Sequence, residues 1–231
     1  PNVGRNYKDI WRLNGKEYPS SQHGFARDSD FICTDITDTS LSFVLKSSEE
    51  TLNVYPFAFA LKITYTLKKH DLEVCWEVVN NDSETMYFTI GGHPAFRVPV
   101  REGESQSDYR LAFEGLDTLI DTSVGTVLAD EPHTLSLENG TCSIAPHMFD
   151  KDALVFDNGQ IQKAGILFPD GTPYLTLTSE GFPNFGIWSV PGAPFVCLEP
   201  WMGRCDDCGF EKPLSEKANI NVLKPDEEFI K

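Results

Sequence analysis

Between residues 57 and 68 the chain alternates without a break. Phe57, Phe59, Leu61, Ile63, Tyr65 and Leu67 fall on one side, and Ala58, Ala60, Lys62, Thr64, Thr66 and Lys68 on the other. Period two is the repeat of a strand, so this stretch has one apolar face to bury. Lys69, His70 and Asp71 make a polar turn, after which Leu72, Val74, Trp76 and Val78 resume the alternation against Glu73, Cys75 and Glu77. The two arms read as an antiparallel hairpin. Asn80, Asn81, Asp82 and Ser83 mark the next turn. Shorter strands are expected at 111–113, 174–178, 185–190 and 195–199, with Gly, Pro and Asp between them. Nowhere do apolar residues recur at helical spacing for the length of a normal helix. The expected class is all-β, a large and mostly antiparallel sandwich. Without repeats, low-complexity tracts or a linker, residues 1–231 are expected to form a single domain.

Charge and cysteine usage narrow the partners. A net charge of −16 repels polyanions, which excludes nucleic acid and an anionic membrane surface as main partners. It leaves room for one small phosphate held by a local arginine. No apolar run approaches the length that spans a bilayer. Cys33, Cys75, Cys142, Cys197, Cys205 and Cys208 are scattered rather than spaced as a disulfide framework, so reduced thiols and a cytoplasmic location are expected. Cys205 and Cys208 form a lone C-x-x-C, half a zinc site at most, with no second pair at a suitable spacing. It reads as a loop with free thiols.

Four segments depart from the plain strand pattern. Gln22 to Asp28 sets His23, Gly24 and Arg27 on one loop, where a ring donor and a fixed positive charge can share a ligand. From spacing alone the commoner reading is a surface turn whose His and Arg meet water or a carboxylate. Thr89 to Phe96 carries paired glycines, then His93 and Pro94, which places a restrained imidazole at a strand end. A structural histidine in a bulge is the competing reading. In the segment from Phe195 to Trp201, Glu199 shares a strand face with Phe195 and Cys197. Burial there raises a carboxyl pKa, and a chain tolerates this where the group is paired or has chemistry to do. Arg5 or Arg204 could supply such a pair. Finally, Phe149 to Phe156 is a polar turn entering a strand, and Asp150 or Asp152 could hold a hydroxyl or simply bond its own backbone.

Taken in order, GRN (4–6), HGFAR (23–27), GGHPAF (91–96), DALVF (152–156) and CLEPW (197–201) resemble the aldose 1-epimerase (galactose mutarotase) family, on the branch that contains the LacX-type proteins. The resemblance covers nearly the whole chain. It implies a β-supersandwich fold and an isomerase that interconverts the anomers of a hexose without a metal or organic cofactor. It further implies His93 as general acid and Glu199 as general base, with Arg5, His23 and Asp152 gripping sugar hydroxyls. Members of the family carry strands ahead of the G-R motif, which here follows only three residues, so N-terminal strands are expected to be missing. Sheet edges would then lie unpaired.

The expected partner is a small sugar. Related branches act on hexose 6-phosphates, and Arg27, Arg97 and Arg204 are candidates to hold a phosphate, with Arg27 the first choice. The acidic balance and the LacX-like motifs favour an unphosphorylated hexose. A non-catalytic carbohydrate-binding module is the reading from another class, with Trp11, Trp188 and Trp201 as stacking platforms. The presence of both His93 and Glu199 favours an enzyme, because hydroxyl recognition alone does not require an acid and a base.

Overall fold

A computed structural model of the chain describes residues 2–116, 119–124 and 133–231. Contacts gather the chain into two compact units, each assembled from separated stretches. The first comprises Pro1–Asn2, Lys8–Phe88 and Glu211–Lys231, and the second Val3–Tyr7 and Thr89–Phe210.

The first unit is built on the hairpin that the alternation predicts. Phe59–Lys68 pairs with Asp71–Asn80 from Lys68↔Asp71 through to Phe59↔Asn80, across a two-residue turn in which Lys69 takes φ 60°. Ser40–Lys46 and then Ile32–Ile36 extend the sheet on one side, and Glu228–Ile230 closes it on the other. Its apolar face is graded. Leu45, Phe59, Leu61 and Val78 are buried at one end, whereas Leu67 and Leu72 are exposed at the other, as is the whole of Ile32–Ile36. Tyr55 packs against Trp11, Phe25, Phe57 and Phe59 at the buried end. The helix Glu49–Val54 is six residues long and is held by a capping box between Ser48 and Thr51.

The second unit is a sandwich. One sheet runs Thr141–Ser143, Arg110–Phe113, Lys163–Leu167, Pro173–Thr178. The larger sheet runs His133–Ser136, Leu119–Val124, Leu154–Phe156, Asn184–Trp188, Phe195–Met202, with Ile90–Gly91 and Ala95–Arg97 both pairing the last of these. Pairing is antiparallel throughout both sheets. Leu111, Phe113 and Ile166 from the smaller sheet meet Leu154, Phe156, Phe185, Ile187, Val196 and Leu198 from the larger in one core. Because successive strand residues point to opposite faces, Cys197, Glu199 and Trp201 must then project from the other side of the larger sheet. That outer face carries the candidate residues Cys197 and Glu199. Among the described residues no helix is long and apolar enough to cross a membrane.

Candidate active site

His93 meets Glu199 through strand register. Gly91 pairs with Trp201 and Ala95 with Cys197, and the register does not shift between those two pairs. The residue directly opposite Glu199 is therefore His93. Strand pairing lapses there: Gly92 still donates its N–H to the Pro200 carbonyl at 3.0 Å, but Pro94 has no N–H to give. The interruption lets the imidazole turn over the neighbouring strand, with its Nδ1 3.4 Å from Glu199 Oε1. Trp188 flanks the ring edge-on at 5.9 Å.

The two side chains sit in different surroundings. His93 is 39% exposed and Glu199 only 2%. Burial is the largest influence on the Glu199 carboxyl and raises its pKa from 4.5 to about 8; a hydrogen bond from the Trp201 side chain opposes the shift and the charge of Asp152 adds to it. Its second oxygen, Oε2, is buried without a hydrogen-bond partner among the described residues. A buried acceptor left unsatisfied costs about 1–3 kcal/mol, so this oxygen is an energetic debit until something donates to it. A sugar hydroxyl is such a donor.

Trp201 owes its place to two glycines. A Cβ at Gly91 would lie 2.6 Å from Trp201 Cδ1, and one at Gly186 would lie 2.5 Å from Cζ2. Only bare backbone lets the indole lie against the sheet, where its N–H can reach Glu199. The sequence suggests Trp201 as a sugar-stacking platform, but it is 4% exposed and packs with Val3, Val155 and Cys205. Trp11 is likewise buried, stacked on Tyr18 and donating to the Val54 carbonyl. Of the three tryptophans only Trp188, half-buried beside His93, keeps a surface near the pair.

Arg5 and Asp152 belong to the same unit as the pair. The segment Val3–Tyr7 is pinned beside the strands that carry it: Val3 N–H donates to Thr89 Oγ1, Asp206 N–H to the Arg5 carbonyl, and Tyr7 N–H to Asp206 Oδ2. Asp152 has φ 125°, a conformation that non-glycine residues rarely adopt, and its Oδ1 accepts from the Ala153 N–H at 2.7 Å. Asp150 instead pairs with His147 Nδ1 at 2.8 Å. The two acids left open by sequence are thus distinguished, and Asp152 is the one whose charge reaches Glu199.

His23 and Arg27 belong to the first unit. His23 takes φ 63° in a turn closed by Gly24 N–H to the Ser21 carbonyl. Arg27 is 57% exposed, its Nε 3.8 Å from Asp28 Oδ1. Arg204 is committed elsewhere: its guanidinium faces Asp157 and makes two hydrogen bonds to Asp207. It is therefore neither the partner of Glu199 nor an open phosphate clamp. Arg97 is exposed.

The six cysteines form no disulfide. Burial pushes the Cys197 thiol up to about 12, with the Glu199 charge adding to it. His93, Cys197 and Glu199 bring ligand atoms within 4.8 Å of one another.

Comparison with known proteins agrees with the all-β architecture. The chain is 28% identical over 217 residues to the plasmid-encoded and chromosomal LacX proteins of Lactococcus lactis subsp. lactis, an overlap of 88% of this chain and 70% of each LacX protein. It superposes with a TM-score of 0.90 on a galactose mutarotase related enzyme from Lactobacillus acidophilus, at 33% identity, covering 100% of this chain and 78% of that one. A galactose mutarotase-like protein from Lactobacillus casei ATCC 334 gives the same TM-score of 0.90 at 32% identity, covering 100% of this chain and 80% of that one. The model of the aldose 1-epimerase family matches residues 4–204, and the chain belongs to that family, with LacX among its relatives.

Proposed function

We propose that this protein is a mutarotase that opens and recloses the ring of an aldohexose, with Glu199 as general base and His93 as general acid. The observation that carries the reading is the pair itself. A carboxyl that is 2% exposed and lacks a partner for Oε2 lies 3.4 Å from a half-exposed imidazole. The two oxygens that react in mutarotation, O1 and the ring oxygen, are bonded to the same carbon. An acid and a base serving them must therefore lie close together, as these do.

In the proposed step Glu199 takes the proton from the O1 hydroxyl as His93 gives one to the ring oxygen. The C1 to ring-oxygen bond breaks and its electron pair leaves with that oxygen, while the O1 lone pair forms the C1 carbonyl. Rotation about C1–C2 presents the other face of the aldehyde. Closure reverses both transfers, so protons and electrons balance over the cycle. Each positioned group contributes roughly 10²–10⁴-fold. Oε2, short of a donor, gains one when the O1 hydroxyl arrives.

Arg5 and Asp152 are proposed to hold sugar hydroxyls. Arg5 rests on the pinned segment at 3–7 and Asp152 on its unusual backbone and its electrostatic reach to Glu199. For His23 and Arg27 the proposal rests on the sequence motif alone. An unphosphorylated hexose is the favoured substrate, on the acidic balance of the chain and its LacX-like motifs, and Arg204 is engaged by two aspartates. The expected setting is cytoplasmic.

The test is two-dimensional NMR exchange between the anomeric protons of galactose, glucose and glucose 6-phosphate. Cross-peaks strengthened by the wild-type protein and lost with Glu199→Gln and His93→Ala are expected, while both variants still bind sugar. Wild-type rates in either variant contradict the proposal. Sugar binding without acceleration by the wild type would mark a carbohydrate-binding protein instead, and preference for glucose 6-phosphate would assign the phosphorylated substrate.

A further inference from the structure

We propose that the proposed acid-base pair, together with Cys197, forms a zinc site whose occupation excludes the sugar. The inference rests on the placement of His93 and Glu199 argued above, and adds a ligand that the epimerase reaction does not call for.

Three features converge. Cys197 and Glu199 are two residues apart on one strand and project from the same face, and His93 stands opposite Glu199. Their ligand atoms all lie within 4.8 Å of one another. With metal–ligand bonds of about 2.0–2.2 Å, tetrahedral zinc holds neighbouring nitrogen and oxygen donors roughly 3.4 Å apart. His93 Nδ1 and Glu199 Oε1 are already separated by 3.4 Å. The donor set is sulfur, nitrogen and oxygen, a mixture suited to borderline zinc and unsuited to magnesium or calcium. Three protein ligands leave one position for water, which the exposed side of His93 can admit.

Sugar and zinc need the same atoms. A metal coordinated by Glu199 removes the base, and one coordinated by His93 removes the acid. Zinc is therefore expected to act as a reversible inhibitor competitive with the hexose and relieved by a chelator. Cys197 sets the chemical selectivity, because its sulfur is what a soft or borderline ion recognises and a sugar does not.

The experiment uses the full chain with its thiols reduced. Zinc is titrated by calorimetry, and cobalt(II) by its near-ultraviolet thiolate charge-transfer absorption. One equivalent is expected to be lost on going from wild type to Cys197→Ser. A residue that only hydrogen-bonds a metal ligand is worth about 10–100-fold in metal affinity, so loss of a ligand itself should weaken zinc binding by at least about 100-fold. His93→Gln provides the same loss through a more exposed residue, with circular dichroism reporting that both variants are folded. His93→Gln is read by metal uptake alone, whereas zinc inhibition of Cys197→Ser is compared with its own zinc-free rate and should need at least about 100-fold more zinc. Absence of zinc or cobalt uptake by the wild type overturns the proposal, as does uptake unchanged in Cys197→Ser. The cobalt spectrum needs no turnover, so a protein that binds cobalt through Cys197 but isomerises no sugar would sink the epimerase reading and leave the metal site standing.

Discussion

Asn80 and Glu199 are both interior polar residues on long strands, and the chain treats them oppositely. Asn80, in the first unit, is 0% exposed and fully engaged. Its Nδ2 donates to the Glu84 and Leu223 carbonyls, and its Oδ1 accepts from the Asp82 N–H. It fastens the corner where the hairpin ends to the C-terminal stretch, and its polarity serves the fold. Glu199, in the second unit, is nearly as buried, yet one oxygen has no partner and the pKa stands at about 8. Polarity that is satisfied internally stabilises; polarity held short of a partner is available to a ligand. The contrast separates architecture from chemistry within one protein.

The largest expected effect breaks the symmetry of that contrast. Glu199→Gln should lower kcat by roughly 10²–10⁴-fold. The same change should stabilise the protein. A carboxyl whose folded pKa is raised favours folding at low pH and loses that contribution as pH climbs from 4.5 toward about 8. At pH 7 the cost relative to an unshifted carboxyl is about 3 kcal/mol, much of which the neutral amide should restore in urea unfolding. Asn80→Ala should go the other way, losing about 2–3 kcal/mol in stability by stranding the groups it serves.

Smaller effects sharpen the picture of the site. Gly186→Ala places a methyl against the Trp201 ring and should cost about 1–3 kcal/mol in stability. It should also reduce kcat more than it raises KM, because a displaced indole no longer orients Glu199. Gly15→Ala supplies a control for backbone strain without crowding, since Gly15 has φ 75° and no atom lies within 4 Å of an added Cβ. The smallest shift is electrostatic. Asp152→Asn removes a negative charge that raises the Glu199 pKa, so the midpoint of the pH–rate profile should move downward, whereas Asp150→Asn should leave it in place.

Much of the first unit was legible in sequence because its hairpin is local. The alternation through residues 57–68 determines which face is apolar, and Lys69-His70 determines where the chain turns. The expected strands at 111–113, 174–178, 185–190 and 195–199 also fall on observed strands, with ends that coincide or differ by up to three residues. The site was legible only in part. Motifs supplied His93 and Glu199 as candidates, but their juxtaposition depends on pairing between strands far apart in the chain, and period-two patterning carries no register between distant strands. The role of Trp201 was hidden for the same reason. The paired glycines at 91 and 92 stand out in the sequence and Gly186 does not, but only the indole lying against Gly91 and Gly186 shows what approaches them so closely.

The most direct test of the central claim, that a buried carboxyl at position 199 acts as the base, is the pH dependence of kcat/KM measured by anomeric exchange. The account predicts a rate that falls about tenfold per pH unit on the acid side, with an apparent midpoint near 8 belonging to the Glu199–His93 pair. A profile that stays flat from pH 8 down to an ordinary carboxyl midpoint near 4.5 would contradict it.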